Sequence, residues 1–489
     1  MGAISGANQQ IDLVTGEIGL HTTPTVVNNV VIVGSSFKEG SQPLEVNNTK
    51  GLVRAFDVKT GKMLWTFRDI PQKGEFGYDS WENGSADRNG NTGVWTGITV
   101  DPELNSVYLP VEDPTNDFYG GARPGNDLYG DSLVCVDLTT GKRKWYFQIV
   151  HHPIWDYDLS SAPLLVDITL NGKPVKAVAV PSKEAFLYVF DRVTGKPIWP
   201  IVEKPVPQSD VPGEKTSKTQ PFPTKPAPYA RQQVTTDDLI DFTPELRAKA
   251  VDIIKKYYKM GPMFSPPIVS KVGGPYGVLD IGNTTGGTNW PGAGFNPETH
   301  VVFAPGNNAN VSIMGLVEPP PGLTDNRYLE GTAGQPFRIN GGPGFGSSSD
   351  APKVSADQAK LNAILAAHPP PSTTPPPPRN VDGLPLVKPP YGLLTAINLD
   401  TGDTLWQVPH GDTPDEIRNN PALKGLTIPK TGQAGNVGEV ITKSLVVMGD
   451  PTYSTSPGHP RGAMLRAMTR RPASKWAKCG CPRRSPARP

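Results

Sequence analysis

The sequence repeats one short phrase four times, and this repeat constrains the fold more than any other feature. In each copy an Asp or Asn stands four residues before a Gly and eight residues before a Trp. The copies are AFDVKTGKMLW at 55–65, CVDLTTGKRKW at 135–145, VFDRVTGKPIW at 189–199 and AINLDTGDTLW at 396–406. Alternating apolar residues predict a strand, Asp-x-x-Thr-Gly predicts a turn whose Gly can take a positive φ, and the Trp begins the returning strand. The phrase therefore predicts a β-hairpin.

A single hairpin of this kind cannot bury its own apolar face, so repeated hairpins have to stack on one another. The repetition favours an all-β propeller in which each Trp packs between neighbouring sheets. A fifth, degenerate copy opens the chain, where Asp12 and Gly16 keep the spacing and Leu20 replaces the Trp. The copies are unevenly spaced, so the loops between them carry insertions, and loops on a rigid scaffold often carry function.

Composition agrees with a chain of short strands and many turns. Gly contributes 52 and Pro 55 of the 489 residues, and charged residues make up only 19%. The net charge of +1 gives no reason to expect a nucleic acid as partner. No apolar run has the length of a transmembrane segment, and residues 1–20 show no signal sequence. The three cysteines form no C-x-x-C-H motif, which argues against covalent haem.

Pro-rich insertions are predicted near 200–230 and 318–380, and the second includes an extended polyproline segment at 369–378. Between them, TPELRAKAVDIIKKYYKMG predicts a surface helix with Thr243 as N-cap, Pro244 at its first position and Gly261 at its end. Its predicted apolar face consists of Leu246, Ala250, Ile253 and Tyr257. A second short helix is predicted at 356–367.

The repeat breaks near the C-terminus. GAMLRA at 462–467 parallels GLVRAF at 51–56, yet no Asp-x-x-Thr-Gly turn follows it. The last 22 residues contain seven Lys or Arg and no acidic residue. We therefore predict one propeller domain at 1–467 and a basic, disordered or out-of-frame tail at 468–489 that forms no native element. A basic nucleic-acid or membrane tail is the alternative.

The densest collection of ionisable and aromatic residues lies between His151 and Lys183. It begins HHPIWDYDL, with Asp156 and Asp158 beside aromatic residues, and ends with PSK. No third ligand stands at zinc spacing from His151 and His152, so both are predicted to pack and hydrogen-bond beside a site.

With these motifs the chain resembles the quinoprotein dehydrogenases that use pyrroloquinoline quinone (PQQ), above all their membrane-bound glucose dehydrogenase branch. The resemblance covers roughly residues 10–467 and rests on the Trp hairpins, HHPIWDYDL with PSK, NTGVWTGITVDPELNSVYLP, GGTNWPG and KPPYGLLTAINLDTGDTLW. It implies an eight-bladed β-propeller of four-stranded sheets. Since this chain shows about five hairpin signatures and one broken one, it resembles a member without its N-terminal blades, its signal or membrane anchor, and its last strands.

The resemblance also implies roles for individual residues. Asp156 matches the general base, and Lys183, 27 residues later, matches the lysine that contacts the quinone. Trp95 matches the tryptophan that forms the floor under the planar cofactor, while Asn289 and Trp290 lie at another quinone-contacting strand end. Taken alone, Asp156 would be read as a turn residue, Lys183 as a solvated surface lysine and Trp95 as core packing.

A divalent cation, Ca²⁺ or Mg²⁺, is implied beside the quinone, with Asp156, Glu39 and Thr115 as predicted ligands. Asp158 is predicted to be a supporting hydrogen-bond acceptor. Cys135, in a predicted strand, is expected to be a buried small apolar residue.

The function implied is oxidation of a glucose-like aldose or another alcohol by hydride transfer to the quinone. The electrons would pass to a membrane quinone, in the periplasm or at the outer face of the inner membrane. One alternative is a non-catalytic propeller scaffold of the cell envelope, a class that would keep the hairpins and lose Trp95, Asp156 and Lys183. Another is an inactive, truncated remnant, because an open ring exposes sheet edges.

Overall fold

The computed structural model describes residues 18–37, 45–337, 356–369, 375–456, 458–469 and 477–480. The first half of the chain forms three antiparallel sheets, which we call blades 1 to 3. Blade 1 contains β1 (Ile18–Gly19), β2 (Thr25–Val27), β3 (Val30–Phe37), β4 (Leu52–Asp57) and β5 (Met63–Arg68). Blade 2 contains β6 (Thr99–Asp101), β7 (Ser106–Val111), β8 (Ser132–Asp137) and β9 (Arg143–Gln148). Blade 3 contains β10 (Leu164–Leu170), β11 (Lys173–Pro181) and β12 (Leu187–Asp191).

The second half adds a large insertion and two further blades. In chain order its strands are β13 (Ile201–Pro205), β14 (Thr219–Pro223), β15 (Ile268–Val269), β16 (Val278–Ile281), β17 (Gly294–Asn296), β18 (Val301–Asn307), β19 (Val311–Val317), β20 (Leu329–Glu330), β21 (Asn380–Val381), β22 (Leu384–Pro385), β23 (Gly392–Asn398), β24 (Asp403–Pro409), β25 (Glu439–Ile441), β26 (Leu445–Gly449), β27 (Ser454–Ser456), β28 (His459–Gly462), β29 (Met464–Thr469) and β30 (Ala477–Gly480). Blade 4 is β17-β18-β23-β24 and blade 5 is β25-β26-β29-β30.

Neighbouring blades meet along their innermost strands. β2 contacts β6, β6 contacts β10, β10 contacts β17, and β17 contacts β25. Apolar side chains fill the space between successive blades, and the largest of these clusters joins blades 2 and 3 to the insertion. This arrangement confirms the predicted all-β propeller, and the insertion adds a further four-stranded sheet of β15, β16, β19 and β20. The full set of eight blades stays a prediction.

The repeated phrase forms the predicted turn in each complete copy. In the first copy, the Asp57 Oδ1 atom accepts hydrogen bonds from the backbone N–H groups of Lys59 and Thr60 at 3.0 and 2.8 Å. Gly61 closes this turn with φ 69°, in the left-handed region that favours glycine. In the fourth copy, Asn398 accepts a bond from the Asp400 N–H at 2.7 Å. Cys135 is buried, as predicted.

Each docked Trp packs on the turn glycine of the next blade. The Trp65 indole N–H donates to the Leu138 carbonyl at 2.8 Å, and a Cβ on Gly141 would lie 2.6 Å from the Trp65 ring. The same contact joins Trp145 to Gly195, and a Cβ on Gly402 would meet Trp199 in the same way. Only glycine allows so close an approach of an indole to the backbone. The structure therefore confirms the tryptophan-docking repeat.

Substitution of Gly141 by Ala is expected to destabilise the propeller much more than substitution of Gly61 by Ala. Both glycines have nearly the same positive φ, 68° and 69°, but nothing lies within 4 Å of a Cβ on Gly61. We expect a loss of about 1 kcal/mol for Gly61→Ala from the backbone conformation alone, and of about 3 kcal/mol for Gly141→Ala because the Trp65 contact is lost as well. Urea unfolding of both variants measures this difference, and equal losses would contradict the docking role.

The insertion has a helical part with its own apolar core. Helix α1 (Pro244–Tyr257) begins as predicted, since the Thr243 hydroxyl accepts a hydrogen bond from the Leu246 N–H at 3.2 Å. The helix buries Leu246, Ala250 and Ile254 in this core. The predicted end at Gly261 is wrong, because Tyr258 already has extended backbone. The other helices are α2 (Ala356–Ala367), as predicted, α3 (Asp415–Arg418), and the short turns Tyr78–Ser80, Glu82–Asp87, Thr236–Asp238 and Pro421–Leu423.

The Pro-rich insertions contain regular structure where they are described. In the first, β13 and β14 pair as an antiparallel hairpin. In the second, residues 375–378 form no helix or strand, and residues 370–374 of the predicted polyproline segment lie outside the described residues. Among the described residues no helix is both long and apolar enough to cross a membrane.

The start of the C-terminal tail continues blade 5. β29 pairs with β26 and includes Met468, and the Ala477–Gly480 strand pairs with β29. These strands differ from the prediction that 468–489 forms no native element, and the other residues of the tail lie outside the described part. Trp406 of blade 4 is buried, yet its indole N–H has no acceptor among the described residues. Residues 470–476, which follow β29 in the chain, are also outside them.

Candidate active site

A cavity of about 820 Å³ lies beside the ends of several inner strands. It receives side chains from the segment before β6, the loop after β7, the loop between β9 and β10, and the loop between β16 and β17. The chemically active residues that line it are Trp95, Glu112, Asp113, Asp156, Asp158, Thr284 and Trp290. A cavity of this size and mixed polarity is suited to a small organic ligand.

Lys183 joins the two aspartates of the HHPIWDYDL stretch. Its Nζ atom lies 2.5 Å from the Asp156 Oδ1 atom and 2.8 Å from the Asp158 Oδ2 atom. All three residues are at most 6% exposed. The same Nζ atom lies 5.9 Å from the centre of the Trp95 ring, close enough for a cation–π interaction. The structure thus brings together Trp95, Asp156 and Lys183, which the sequence places far apart.

Asp156 has an unusual backbone and a perturbed carboxyl group. Its φ is 56°, in the left-handed region that non-glycine residues seldom adopt, so the surrounding contacts must hold it there. Burial raises the pKa of Asp156, Lys183 lowers it and Asp158 raises it, with a net value of about 6. The carboxyl group is therefore mostly ionised at neutral pH and can accept a proton.

Asp158 supports this arrangement through three hydrogen bonds, as predicted for a supporting acceptor. Besides Lys183, the Trp95 indole N–H donates to its Oδ2 atom at 3.2 Å, and the Asp113 N–H donates to its Oδ1 atom at 2.9 Å. Asp158 therefore fixes the Trp95 ring and the Lys183 ammonium group relative to each other.

Three buried carboxylates form a cluster that could hold a cation. Asp113, Asp131 and Asp158 each offer an oxygen atom, and these atoms lie within 4.8 Å of one another. Apart from each other, Asp113 and Asp131 have no side-chain hydrogen-bond donor for their carboxyl oxygens among the described residues. Burial raises the pKa of Asp113 to about 7 and that of Asp131 well above its ordinary value. Hard divalent cations such as Ca²⁺ and Mg²⁺ take oxygen ligands, so the cluster fits the predicted cation.

The cation ligands predicted from the sequence differ from this cluster. Glu39 lies outside the described residues. The Thr115 hydroxyl is buried and accepts a hydrogen bond from the Asn48 side chain at 2.8 Å. Asp156 is not one of the three cluster residues, and its Oδ1 atom pairs with Lys183 instead. For these three residues the ligand role stays a prediction.

Asn289 and Trp290 occupy different environments in the turn before β17. The Asn289 side chain donates to the Thr284 carbonyl at 3.1 Å and accepts from the Trp290 N–H at 2.8 Å. It therefore stabilises the turn itself. Trp290 is 60% exposed and lines the cavity. Of this pair, Trp290 has the position suited to contact a bound ligand.

Three further site residues, Asp113, Asp131 and Glu112, were not predicted from the sequence. Each is an acidic residue close to the end of an apolar strand, and this position is the sequence feature that could have identified it as a site residue. Glu112 is buried and accepts hydrogen bonds from the Ser36 hydroxyl at 2.8 Å and the Gly93 N–H at 3.0 Å. Burial, with the nearby Asp158 charge, raises the pKa of Glu112 to about 8. The site therefore contains more acidic groups than the Lys183 cation can neutralise.

Replacement of Asp131 by Asn is expected to have opposite effects with and without a cation. Without one, the change removes a buried acid whose pKa is raised well above its ordinary value and which therefore has to take up a proton on folding at neutral pH, so the unfolding temperature rises. With excess Ca²⁺ the change removes a ligand of the ion. The increase in unfolding free energy that Ca²⁺ produces should therefore be about 1–3 kcal/mol smaller in the variant than in the unmodified chain. Thermal unfolding in EDTA and in Ca²⁺ measures both effects. Asp101→Asn is the control, because Asp101 pairs with Arg192 at 3.0 Å and its loss should destabilise equally in both buffers.

The cavity also fits a flat, anionic aromatic group, with one condition. Trp95 is half-buried and offers an aromatic surface to the cavity, and Lys183 supplies a fixed positive charge beside it. That charge is already shared by Asp156 and Asp158. A ligand that carries several carboxylates would therefore need a cation in the acidic cluster to bind well.

Comparison with known proteins agrees with this geometry. The family model described as "PQQ: Glucose/ethanol/alcohol dehydrogenase, beta-propeller domain" matches residues 2–468. The quinate/shikimate dehydrogenase (quinone) of Acinetobacter baylyi is 29% identical over 81% of this chain and 44% of its own length. The quinoprotein glucose dehydrogenase of Escherichia coli is 28% identical over 81% of this chain and 45% of its own length. The chain thus spans about half the length of these relatives.

Solved structures support the same fold. The quinohemoprotein alcohol dehydrogenase of Comamonas testosteroni superposes with a TM-score of 0.51 at 18% identity, over 94% of this chain and 52% of that one. At this identity the likeness concerns the fold alone. The family match extends over nearly the whole sequence and includes every strand from β1 to β28 and most of β29. The chain therefore belongs to the PQQ-dependent quinoprotein dehydrogenase family.

Proposed function

We propose that this chain provides the site at which a glucose-like aldose or another alcohol is oxidised with PQQ as the cofactor. The observation that carries the proposal is the Asp156–Lys183–Asp158 group, which lies with Trp95 at a cavity of about 820 Å³. A non-catalytic scaffold has no need of a buried lysine between two buried aspartates. The names of the relatives specify quinate, shikimate, glycerol and glucose, all of which carry hydroxyl groups.

Asp156 acts as the general base in this proposal. Its ionised carboxylate takes the proton from the substrate hydroxyl as that group is oxidised. Lys183 stabilises the ionised form and so keeps Asp156 ready to accept the proton near neutral pH. Asp158 holds the Lys183 ammonium group from the other side, which prevents it from moving out of reach of Asp156.

The chain's other residues bind the cofactor and the cation. When bound, PQQ accepts the two electrons that the substrate loses. Trp95 would support its plane, Lys183 would face its oxygen atoms and Trp290 would contact it at the cavity rim. Asp113, Asp131 and Asp158 would hold Ca²⁺ or Mg²⁺, whose charge offsets the surplus of carboxylates.

The final electron acceptor and the cellular location of the chain are part of the same proposal. We infer that electrons pass to a membrane quinone, which is supported by the word "quinone" in the names of two relatives. A membrane quinone as acceptor favours the periplasm or the outer face of the inner membrane.

The pH dependence of the rate tests the role of Asp156. After reconstitution with PQQ and Ca²⁺ or Mg²⁺, a dye-linked assay over aldoses, polyols and simple alcohols identifies the substrate. Because the base has to be ionised, kcat/KM should rise with pH through the pKa of Asp156 and then level off; that pKa is about 6 in the cation-free chain, and a bound divalent cation should lower it further. Asp158→Asn removes a charge that raises this pKa, so the break should move to lower pH. A rate independent of pH across this range would contradict the assignment.

A further inference from the structure

A second buried group of charges lies behind the loop that carries Asp156. It consists of Arg123, Asp127, His152 and Glu214, which we call the buried tetrad. Their side chains are at most 2% exposed, and none of them lines the cavity. The proposed chemistry assigns no role to any of the four.

The hydrogen bonds of His152 require that its ring carry two protons. Its Nδ1 atom lies 2.7 Å from the Gly125 carbonyl oxygen, and its Nε2 atom lies 2.6 Å from the Glu214 Oε1 atom. A carbonyl and a carboxylate both accept hydrogen bonds, so both ring nitrogens have to donate. Both Glu214 oxygens accept from backbone N–H groups, Oε1 from Lys215 at 2.8 Å and Oε2 from Gly120 at 2.6 Å, as expected of a carboxylate. The geometry therefore indicates an imidazolium ion.

The charges of the tetrad balance only with this protonated histidine. The Arg123 Nη1 atom lies 2.6 Å from the Asp127 Oδ2 atom, and the same oxygen lies 3.3 Å from the His152 Nδ1 atom. Two cations then face two anions in a buried space. Although burial lowers the pKa of His152, the charges of Glu214 and Asp127 raise it to about 9.

The tetrad is connected directly to the loop of Asp156. Arg123 donates to the carbonyl of Pro153, which follows His152 in the chain. It also donates to the carbonyls of Thr115 and Asn116 at 3.0 and 2.8 Å. Through these hydrogen bonds the tetrad connects the loop between β9 and β10 to the segment after β7. Glu214 of the insertion is hydrogen-bonded to the same loop through His152.

The loop between β9 and β10 needs such support because two of its residues have left-handed backbone. His152 and Asp156 both have positive φ values, 49° and 56°. Left-handed backbone is unfavourable for residues other than glycine and persists only where surrounding contacts hold it. The tetrad supplies contacts at the first of these two positions, and the Lys183 bonds supply them at the second.

We propose that His152 is a positioning residue, held as an imidazolium ion by Glu214, which fixes the left-handed loop and thereby the place of the Asp156 carboxylate. The catalytic consequence rests on the proposed function. The protonation state and the rigidity of the loop do not, and both can be measured on the chain without cofactor.

Glu214→Gln tests the proposal, with Glu203→Gln as the matched control. Glu203 lies 3.1 Å from the neighbouring His151, but this pair is partly exposed. In ¹⁵N-histidine NMR spectra of the unmodified chain near neutral pH, His152 should show two protonated ring nitrogens. Amide exchange at residues 154–158 should become about tenfold faster in Glu214→Gln and stay unchanged in Glu203→Gln. One unprotonated His152 nitrogen in the unmodified chain, or unchanged exchange in Glu214→Gln, would overturn the proposal.

Turnover gives a second readout that a purely structural role would not change. In Glu214→Gln, kcat at about pH 8 should fall about tenfold with little change in KM, because Asp156 is misplaced while substrate binding persists. The ratio of variant to unmodified kcat should recover as the pH is lowered towards 6, since the Asp127 carboxylate still favours protonation of His152 although the Arg123 charge opposes it. A kcat ratio that does not change with pH would contradict the role of protonated His152 in positioning Asp156. If the unmodified chain shows no turnover, the proposed function fails, and the NMR and exchange results still decide the positioning role.

Discussion

Substitution of Asp156 by Asn is expected to reduce kcat by about 10³-fold or more while leaving PQQ binding nearly unchanged. The amide keeps an oxygen that can accept the Lys183 hydrogen bond, so the geometry of the loop is retained. It cannot take up a proton from a substrate hydroxyl, so the reaction loses its base. Dye-linked turnover measures the first effect, and fluorescence titration with PQQ measures the second.

Asp191→Asn is the matched control for this substitution. Asp191 caps the turn of the third repeat, where its Oδ1 atom accepts from the Thr194 N–H at 2.8 Å. Asn398 has the same place in the fourth repeat, so the sequence itself shows that the turn tolerates Asn there. Turnover should be unaffected in this control. An Asp156→Asn variant that retains turnover, or that loses PQQ binding, would contradict the role of Asp156 as the base.

Substitution of Lys183 by Met is expected to abolish both PQQ binding and activity and to destabilise the protein. The change leaves Asp156 and Asp158 buried without their cation, and breaking a buried ion pair in this way costs about 3–5 kcal/mol. It also removes the charge that lowers the pKa of Asp156, so less of the base is ionised at neutral pH. Chemical unfolding, PQQ titration and turnover measure the three effects.

Excess Ca²⁺ should restore part of the stability of Lys183→Met, because the ion neutralises the same carboxylates. Lys176→Met is the control, since Lys176 pairs with Glu103 at the surface, where both side chains are well exposed. Such a pair contributes less than about 1 kcal/mol. Equal losses of stability in the two variants would contradict the claim that the buried ion pairs of Lys183 stabilise the protein more than an exposed pair does.

The repeated hairpins could be predicted from the sequence because all their determinants are local. The turn aspartate, the glycine and the Trp stand at fixed spacings in the sequence. The contact of the Trp65 ring with Gly141 is the contact by which one repeat packs on the next. The end of α1 was less predictable. Gly261 is a usual stop signal, but Tyr258 leaves the helix earlier to enter the apolar core of the insertion.

The acidic cluster could not be predicted in the same way, because two of its three members, Asp113 and Asp131, come together only through pairing of β7 with β8. Val111 at the end of β7 pairs with Ser132 at the start of β8. The residues just beyond, Asp113 and Asp131, therefore meet across the sheet edge although a long loop separates them. Asp156 and Lys183 were found through a motif, whereas these two acids have no motif of their own.

Binding of PQQ to the purified chain, measured by calorimetry with and without a divalent cation, tests most directly whether these residues form a quinoprotein site. We expect one PQQ per chain in the presence of Ca²⁺ or Mg²⁺, and strongly weakened binding in EDTA and in Lys183→Met. Failure to bind PQQ with either cation, or equally tight binding in EDTA, would contradict the site described by Trp95, Lys183 and the acidic cluster.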